Sequence, residues 1–219
     1  MNTEDNRLEL ALAEKTKSLF ELLATKQIAK AKLRILLIAY KNSHIIQLYA
    51  KNDNQKSYQL LSDYLISKRS GKLGPKKQEG DKQVPEGFYQ INRFNPNSKY
   101  HLSLGINYPN ESDVYKGHTG SHIYIHGGVE SKGCLPVTDD KIKEIYVLAH
   151  WADMAGQHLI PVYVFPFEMT EENIMTHARE IDGETFEFWQ NLREGFDIFH
   201  DTYTELQIKI VNGTYRFIR

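Results

Sequence analysis

The sequence predicts a mainly β protein with helical additions, in the α+β class. Short apolar runs rich in β-branched and aromatic residues recur between positions 35 and 165, separated by Gly, Pro, Asn and Ser. Residues 4–30 instead repeat leucine at helical spacing, without Gly or Pro. Helical patterns return after Thr170 and continue to about Tyr203.

The first predicted element is an amphipathic helix over residues 4–30. Lys and Glu lie between its leucines, which is typical of a helix with one apolar face. Such a helix fits an arm that packs on the rest of the chain or links it to another part. The leucines that form the apolar face are Leu8, Leu12, Leu19, Leu22 and Leu23.

The central segment predicts a series of strands. Residues 35–40 and 44–49 are apolar runs joined by a Lys-Asn-Ser turn, which suits a hairpin. A loop rich in Gly, Pro and Lys begins at residue 71 and leads into a strand at 88–91. Alternate apolar residues within 100–110 predict a strand with one buried face, and residues 121–126 predict another strand.

The remaining elements have clear boundary signals. Thr138 is a suitable N-cap for a helix with acidic residues in its first turn, and prolines mark the ends of a strand at 160–167. Asn212-Gly213 predicts a type I′ turn in a closing hairpin. The predicted organisation is an N-terminal helical arm (1–32), a β-rich domain (33–167) and a C-terminal helical extension with the hairpin (168–219).

Composition excludes several classes of function. The hydrophobic content of 41% and the charged content of 25% are those of an ordinary globular domain. The net charge of -1 gives no reason to expect a nucleic-acid partner. A single cysteine excludes an internal disulfide and any multi-cysteine metal site.

The sequence contains no recognisable targeting segment. The first twenty residues lack the uninterrupted apolar core of a secretory signal, and the longest apolar run, residues 35–40, is too short to span a bilayer. These observations fit either an intracellular protein or a mature form from which a targeting segment has been removed.

The only cysteine, Cys134, lies eight residues after His126 in the stretch YIHGGVESKGCLPVTDD. Strand alternation predicts that His122, Tyr124 and His126 share one face, while the isoleucines between them point to the core. An imidazole beside a thiol favours loss of the thiol proton, and the thiolate is the nucleophilic form. The spacing therefore favours Cys134 as a nucleophile and His126 as its base.

Glycine at position 133 lets the backbone adopt a positive φ or approach a substrate closely, so that nearby amides can hold an oxyanion. Two other interpretations remain open at this point. Cys134 fits a buried structural thiol, because free cysteine is often buried. A metal cluster can also be drawn from His118, His122, His126 and Cys134, although their spacing matches no compact zinc pattern.

Several motifs, in one order, resemble a known family. YIHGGVESKGCLPVTDDKIKEIYVLA is similar to the His and Ser/Thr-x-Gly-Cys motif of the YkuD-type L,D-transpeptidases, in their YafK-like branch. The resemblance extends upstream through GDKQVPEGFYQINRFNPNSKYHLSLGINYPN and downstream through PVYVFPFEMTEENIMTHA and FWQNLREGFDIF, so that it covers about residues 35–201. It implies a YkuD-type, β-sandwich-like catalytic core over residues 33–167, with a helix following the cysteine loop.

The resemblance also implies roles for individual residues. Cys134 takes the place of the nucleophile, His126 that of the general acid and base, and the Gly127 carbonyl that of the group that orients the imidazole. The amides of Gly133 and Cys134 match the oxyanion hole. The residues assigned to substrate binding are Ser131, which occupies the Ser/Thr position, His122, His118 and Tyr124. No metal and no cofactor is implied.

This chain departs from the family pattern at three points. The interval between His126 and Cys134 is shorter than in the main transpeptidases, which removes part of the loop that covers the site. Lys132 stands where many members have histidine. Leu135-Pro136 replaces the pattern that places Arg or Asn two residues after the cysteine, where an arginine would help to anchor a substrate carboxylate. The resemblance therefore does not assign the position of the bound substrate.

The activity implied by the resemblance is acyl transfer on peptidoglycan stem peptides in the periplasm or cell envelope. Cys134 would form a thioester with the diaminopimelate residue of a tetrapeptide stem and expel D-Ala. The acceptor would be a second stem peptide or an outer-membrane-attached protein. Two alternatives remain: a hydrolase using the same site (an L,D-carboxypeptidase, or an amidase that releases a protein joined to the stem), and a non-catalytic peptidoglycan-binding module.

Overall fold

The computed structural model describes residues 7–68 and 70–218, and the α+β class is confirmed. Part of the predicted N-terminal helix, residues 4–6, lies outside the described residues. The helices are α1 (Arg7–Thr25), α2 (Glu111–Tyr115), α3 (Asp139–Met154), α4 (Glu171–His177) and α5 (Gly183–Thr202). The strands are β1 (Leu33–Tyr40), β2 (Ile45–Asn52), β3 (Gln59–Leu65), β4 (Gly87–Ser98), β5 (His101–Ile106), β6 (Tyr124–His126), β7 (Leu135–Pro136), β8 (Ile160–Phe165), β9 (Gln207–Val211) and β10 (Thr214–Ile218).

Eight of the strands form one sheet, in the order β3-β2-β1-β8-β4-β5-β6-β7, and β9 and β10 pair separately. The central strand β1 is apolar along most of its length because both of its faces are covered. Ile35 and Leu37 belong to the hydrophobic cluster on one side of the sheet, whereas Leu36 and Ile38 belong to the cluster on the other side. The fold therefore has three layers, with the sheet in the middle.

Helices α1 and α3 cover the first face. Phe20 of α1 contacts the ring of Trp151 of α3 with centroids 5.1 Å apart, and Lys15 pairs with Glu144 at 3.2 Å. Leu19 and Leu23 are buried in the same cluster as α3. The sequence left open whether the N-terminal arm packs on the rest of the chain or links it to another part. In the described residues, α1 packs on α3 and the central sheet.

Helix α5 and the β9–β10 hairpin cover the second face. Trp189, Phe196 and Phe199 of α5 are buried there, as expected for a helical row of aromatic residues that forms core. Asn212 and Gly213 have φ values of 50° and 72°, and they join β9 to β10 as the predicted turn.

The element boundaries differ from prediction in identifiable places. The strand predicted at 121–126 covers only β6, because His122 has a φ of 60°, outside the extended region. The predicted helix at 4–30 ends at Thr25, and a short 3-10 turn follows at Lys30–Lys32. Strands β3 and β7 and helix α2 were not predicted; α2 has a capping box formed by Asn110 and Asp113. Among the described residues, no helix combines the length and apolarity needed to cross a membrane.

Candidate active site

The cysteine and the histidine are placed by two short parallel strands at the edge of the sheet. Ile125 of β6 is opposite Leu135 of β7, and both side chains are buried in the core. Because successive side chains alternate between faces, His126 and Cys134 point to the opposite face from these two residues. His126 is the last residue of β6, and Cys134 immediately precedes the neighbouring strand β7.

The imidazole of His126 has a defined orientation. Its Nδ1 lies 2.6 Å from the main-chain oxygen of Gly127, so Nδ1–H donates to that carbonyl and the lone pair remains on Nε2. The residue is 2% exposed, and this burial lowers the pKa of His126, whereas the hydrogen bond to Gly127 acts in the opposite direction. The neutral imidazole is therefore the resting form at pH 7, as a general base requires.

The thiol of Cys134 donates to the main-chain oxygen of His122, with Sγ 3.6 Å from that oxygen. Burial raises the pKa of the Cys134 thiol, and the Tyr124 amide and the Lys76 ammonium oppose this shift. The expectation of a thiol that ionises more readily than usual is therefore wrong for the resting structure. Desolvation outweighs the groups that favour the thiolate, so burial favours the neutral form of both the Cys134 thiol and the His126 imidazole.

The amide of Gly133 is already engaged by a side chain from a distant part of the chain. Its N–H donates to Ser70 Oγ at 2.7 Å, Ser70 Oγ lies 2.8 Å from Ser131 Oγ, and Ser131 Oγ donates to the Cys134 carbonyl at 2.8 Å. The Gly133 N–H would therefore have to leave Ser70 Oγ before it could donate to an oxyanion. Ser131 stabilises the cysteine loop from within.

The start of the loop is fixed by helix α3. Thr138 caps the helix by accepting from the Lys141 amide, as predicted, and Asp139 Oδ1 accepts from the Gly128 amide at 2.8 Å. A Cβ at Gly127 would lie 2.6 Å from Asp139 Oδ1 and 2.7 Å from the Tyr100 carbonyl, so only glycine fits there. The sequence signal for Asp139 was the acidic first turn, although its contact with the loop could not be predicted.

The other predicted site residues are distributed unevenly. Tyr124 is half-buried on the face of His126, and His122 is exposed and stacks beside the Tyr124 ring with centroids 6.4 Å apart. The His118 side chain is 7% exposed, and its Nδ1 lies 3.3 Å from the buried carboxylate of Asp113. In the described ranges 7–68 and 70–218, no group of three or more His, Cys, Asp or Glu side chains could hold a metal ion.

Two further residues near the site have structural roles. Asn107 accepts from the Gln90 amide at 2.7 Å, and the Tyr108 hydroxyl donates to the Lys76 carbonyl at 3.2 Å. These contacts join the end of β5 to β4 and to the loop at residues 71–86.

The family model of the YkuD L,D-transpeptidase catalytic domain matches residues 34–164. The chain belongs to this family. The match begins in β1 and ends in β8, and it includes both His126 and Cys134. The family suggested by the sequence motifs is thereby confirmed.

Individual relatives agree with this membership. The Escherichia coli (strain K12) protein named "Putative L,D-transpeptidase YafK" is 37% identical over 178 residues, which are 80% of this chain and 70% of the relative. The protein of the same name from Escherichia coli O157:H7 gives the same values. The structure of the helical cell shape determining protein Pgp2 from Campylobacter jejuni matches with a TM-score of 0.51 at 19% identity, covering 81% of this chain and 73% of that one. This last likeness concerns the fold alone.

Membership in the YkuD family connects the chain with peptidoglycan and with transpeptidation, and hence with the cell envelope. Sequence reasoning missed three residues that contact the family's site in this structure: Ser70 on the Gly133 amide, Asp139 on the Gly128 amide, and Tyr100 against the His126 ring. Each of these contacts joins residues that are distant in the sequence, so the local sequence pattern does not predict it.

Proposed function

We propose that this protein is a cysteine acyltransferase acting on peptidoglycan stem peptides, with Cys134 as nucleophile and His126 as general base and acid. The observation that carries the proposal is the arrangement of these two residues. His126 ends β6 and Cys134 immediately precedes β7, its parallel neighbour, and the Gly127 carbonyl accepts from Nδ1–H so that Nε2 is the basic nitrogen, which supports the proposed pair.

The first half-reaction begins from a neutral pair. Nε2 of His126 accepts the Sγ proton as Sγ attacks the carbonyl of the diaminopimelate residue, and a tetrahedral oxyanion forms. When this intermediate collapses, the carbon–nitrogen bond breaks, His126 returns the proton to the departing amine of D-Ala, and a thioester remains on Cys134. Because both groups are neutral at rest, proton transfer occurs together with attack and not before substrate binds.

The second half-reaction depends on the acceptor. An amine of a second stem peptide, or of an outer-membrane-attached protein, loses its proton to His126 and attacks the thioester, which forms a new amide and releases the thiol. The main-chain amide of Cys134 lies at the reacting centre and is the first candidate to stabilise the oxyanion. The Gly133 amide joins it only if Ser70 gives up its hydrogen bond.

Hydrolysis at the same site is the second candidate function. The segment between His126 and Cys134 is short, and Val129, Glu130 and Lys132 within it are exposed. A short, exposed segment leaves the thioester accessible to water. If water attacks the thioester, the protein acts as an L,D-carboxypeptidase, or as an amidase that releases a protein from the stem. The same residues serve both outcomes.

The test is incubation of the purified protein with muropeptides, followed by mass spectrometry of the products. Dimers joined between two diaminopimelates indicate transpeptidation, trimmed tripeptides indicate carboxypeptidase action, and released peptide adducts indicate amidase action. The variant Cys134→Ala should abolish whichever product appears. Products that persist in Cys134→Ala, or a wild-type protein that yields none of the three and never carries an acyl mass on Cys134, would rule the proposal out.

The proposed location is the periplasm, where stem peptides are present. Support comes from the family's substrate class alone. Fractionation of cells that express the full chain, with detection of the protein beside periplasmic and cytoplasmic markers, tests the location directly.

A further inference from the structure

A row of residues crosses the sheet toward Cys134 on its reactive face. Arg93 of β4 is opposite Gly105 of β5, and Gly105 is opposite Tyr124 of β6. Because Ile125 pairs with Leu135, Tyr124 is the neighbour of Cys134 across the next strand gap. The row from Arg93 to Cys134 spans three strand spacings, roughly 14 Å between backbones.

Glycine at position 105 allows the side chains in this row to meet. A Cβ there would lie 3.0 Å from the Tyr124 ring and 3.2 Å from Arg93 Cβ. The ring of Tyr124 therefore lies over Gly105, and Arg93 Nη1 donates to the Tyr124 hydroxyl at 3.2 Å. This contact holds the guanidinium on the cysteine's face of the sheet.

His122 connects the row to the thiol. Its φ of 60° is unusual for a residue other than glycine, and such a backbone conformation is concentrated at functional sites. The conformation directs the His122 carbonyl to Cys134 Sγ, 3.6 Å away, while the His122 ring lies beside Tyr124 and its Nδ1 contacts Ser121 Oγ at 2.6 Å.

Arg93, Gly105, His122 and Tyr124 line one cavity of about 270 Å³, and the main-chain oxygen of His122 connects this cavity to Cys134 Sγ, 3.6 Å away. Within the described residues, no carboxylate pairs with Arg93, and its hydrogen bond to Tyr124 uses only one of its five N–H donors. An exposed guanidinium with free donors beside an imidazole is suited to a carboxylate, which arginine binds through two parallel hydrogen bonds.

We propose that Arg93, positioned by Tyr124 and assisted by His122, is the carboxylate-binding subsite of the acyl-donor groove. This inference rests on the proposed function for the identity of the substrate, but the subsite itself is a property of the cavity lined by Arg93, His122 and Tyr124. The chain has Leu135-Pro136 after its cysteine and no arginine there. Arg93 provides a cation from a different strand, on the same face as the nucleophile.

The sharpest test uses two alkylating reagents that differ in one charge. N-iodoacetyl-6-aminohexanoic acid carries a carboxylate on a chain long enough to reach from Cys134 to Arg93, and its primary amide carries no charge, so the ratio of their rates on Cys134, divided by the same ratio for 2-mercaptoethanol, measures carboxylate recognition in the groove next to the thiol. We expect this normalised ratio to exceed one in the wild type and to fall on the order of tenfold in Arg93→Gln. The ratio for Arg93→Lys should lie between those of the wild type and Arg93→Gln, because an ammonium keeps the charge but cannot form two parallel hydrogen bonds to a carboxylate.

The matched control is Arg216→Gln, which removes an exposed arginine from β10. Its ratio should equal that of the wild type. An unchanged ratio in Arg93→Gln overturns the proposal, and so does an equal fall in both variants, since that would show a general effect of net charge. Circular dichroism and the thermal midpoint of each variant establish that it is folded.

Stem tetrapeptides then identify the carboxylate. One peptide is amidated at its C-terminal D-Ala and another at the side-chain carboxylate of diaminopimelate. If amidation of one carboxylate raises KM for the wild type but not for Arg93→Gln, that carboxylate is the group that Arg93 binds. If amidation at neither position changes KM, carboxylate recognition at this site is excluded for the stem peptide. The alkylation ratio needs no turnover, so it distinguishes failure of this subsite from failure of the proposed function.

Discussion

The ring of Tyr100 stacks on the imidazole of His126, with centroids 4.6 Å apart and planes inclined by 26°. Tyr100 lies in the turn between β4 and β5, and Arg7 of α1 donates to the carbonyls of Ser98 and His101 on either side of it. The N-terminal arm thus fastens the turn that packs against the proposed base. The Gly127 carbonyl accepts from Nδ1–H in the plane of the imidazole, and Tyr100 packs against the face of the ring. Together the two contacts restrict both the rotation and the tilt of the ring.

The first prediction concerns this contact. Tyr100→Ala should lower kcat about three- to tenfold, the effect of losing an aromatic pair worth about 0.5–1.5 kcal/mol, with little change in KM. Removing the ring also lets water reach His126, so the acid limb of the pH–rate profile should move upward, toward the ordinary histidine pKa. Tyr100→Phe keeps the ring and should behave as the wild type. An unchanged pH profile in Tyr100→Ala would show that the stacking has no influence on the base.

The second prediction follows from the two pKa directions. Burial lowers the pKa of His126 and raises that of the Cys134 thiol, so both groups are neutral over a wide range around pH 7. We expect kcat/KM to be flat in this range, to fall at acid pH only below the ordinary histidine pKa of about 6.5, and to fall at alkaline pH above the ordinary thiol pKa.

Alkylation of the free protein by iodoacetamide checks the same point without substrate. The rate on Cys134 should rise with pH and reach its midpoint above about 8.5, the value of a free thiol. A midpoint clearly below that value, together with its loss in His126→Ala, would mean that the resting pair is a thiolate and an imidazolium, in contradiction to the burial observed here.

Local chemistry made much of the fold predictable. Thr138 caps α3 because a hydroxyl can accept from the amide of Lys141, and this requires only neighbouring residues. Asn212-Gly213 makes its turn for an equally local reason, since both residues tolerate positive φ.

Contacts between distant segments were not predictable in the same way. Ser70 and Gly133 are 63 positions apart, and no pattern near either residue indicates that they meet. Arg93 likewise reaches Tyr124 only because the register of three strands places both beside Gly105. The pKa of Cys134 was expected in the wrong direction because the spacing shows which groups are close, whereas desolvation depends on what covers them.

The third prediction concerns the buried ion pair behind the site. Lys41 Nζ lies 2.8 Å from Glu86 Oε1, with side-chain exposures of 1% and 0%, and Lys41 also donates to the carbonyls of Gly74 and Val84. Lys41→Met leaves the Glu86 carboxylate buried without its cation, so the free energy of unfolding should fall by about 3–5 kcal/mol in chemical denaturation.

Two further variants make this measurement specific. Lys77 pairs with Glu184 at 2.9 Å on the surface, so Lys77→Met should change the free energy of unfolding by less than about 1 kcal/mol. The double variant Lys41→Met with Glu86→Gln should recover part of the loss, since the carboxylate charge is gone while a side-chain amide can still contact the Trp189 indole. A Lys41→Met protein as stable as Lys77→Met would show that the pair contributes no more than a surface one.

The fourth prediction concerns the glycine before the nucleophile. Gly133 has a φ of 102°, and a Cβ there would lie 2.8 Å from the Gln83 carbonyl. Gly133→Ala therefore strains the backbone, which costs about 1–3 kcal/mol. It also creates a clash with main-chain atoms, which cannot relieve it by changing rotamer as a side chain can. The loop must shift, and Cys134 shifts with it.

Gly80 provides the matched control, because its φ is 78° and nothing lies within 4 Å of an added Cβ. Gly80→Ala should lose stability through backbone strain alone and keep the wild-type rate of Cys134 alkylation and turnover. Gly133→Ala should lose more stability and nearly all turnover, because a displacement of about 1 Å at a reacting atom lowers rates by a factor on the order of a hundred. If both alanine variants turn over alike, close packing against Gln83 does not hold the nucleophile in place, and the position of Cys134 must depend on the Ser70 and Ser131 hydrogen bonds instead.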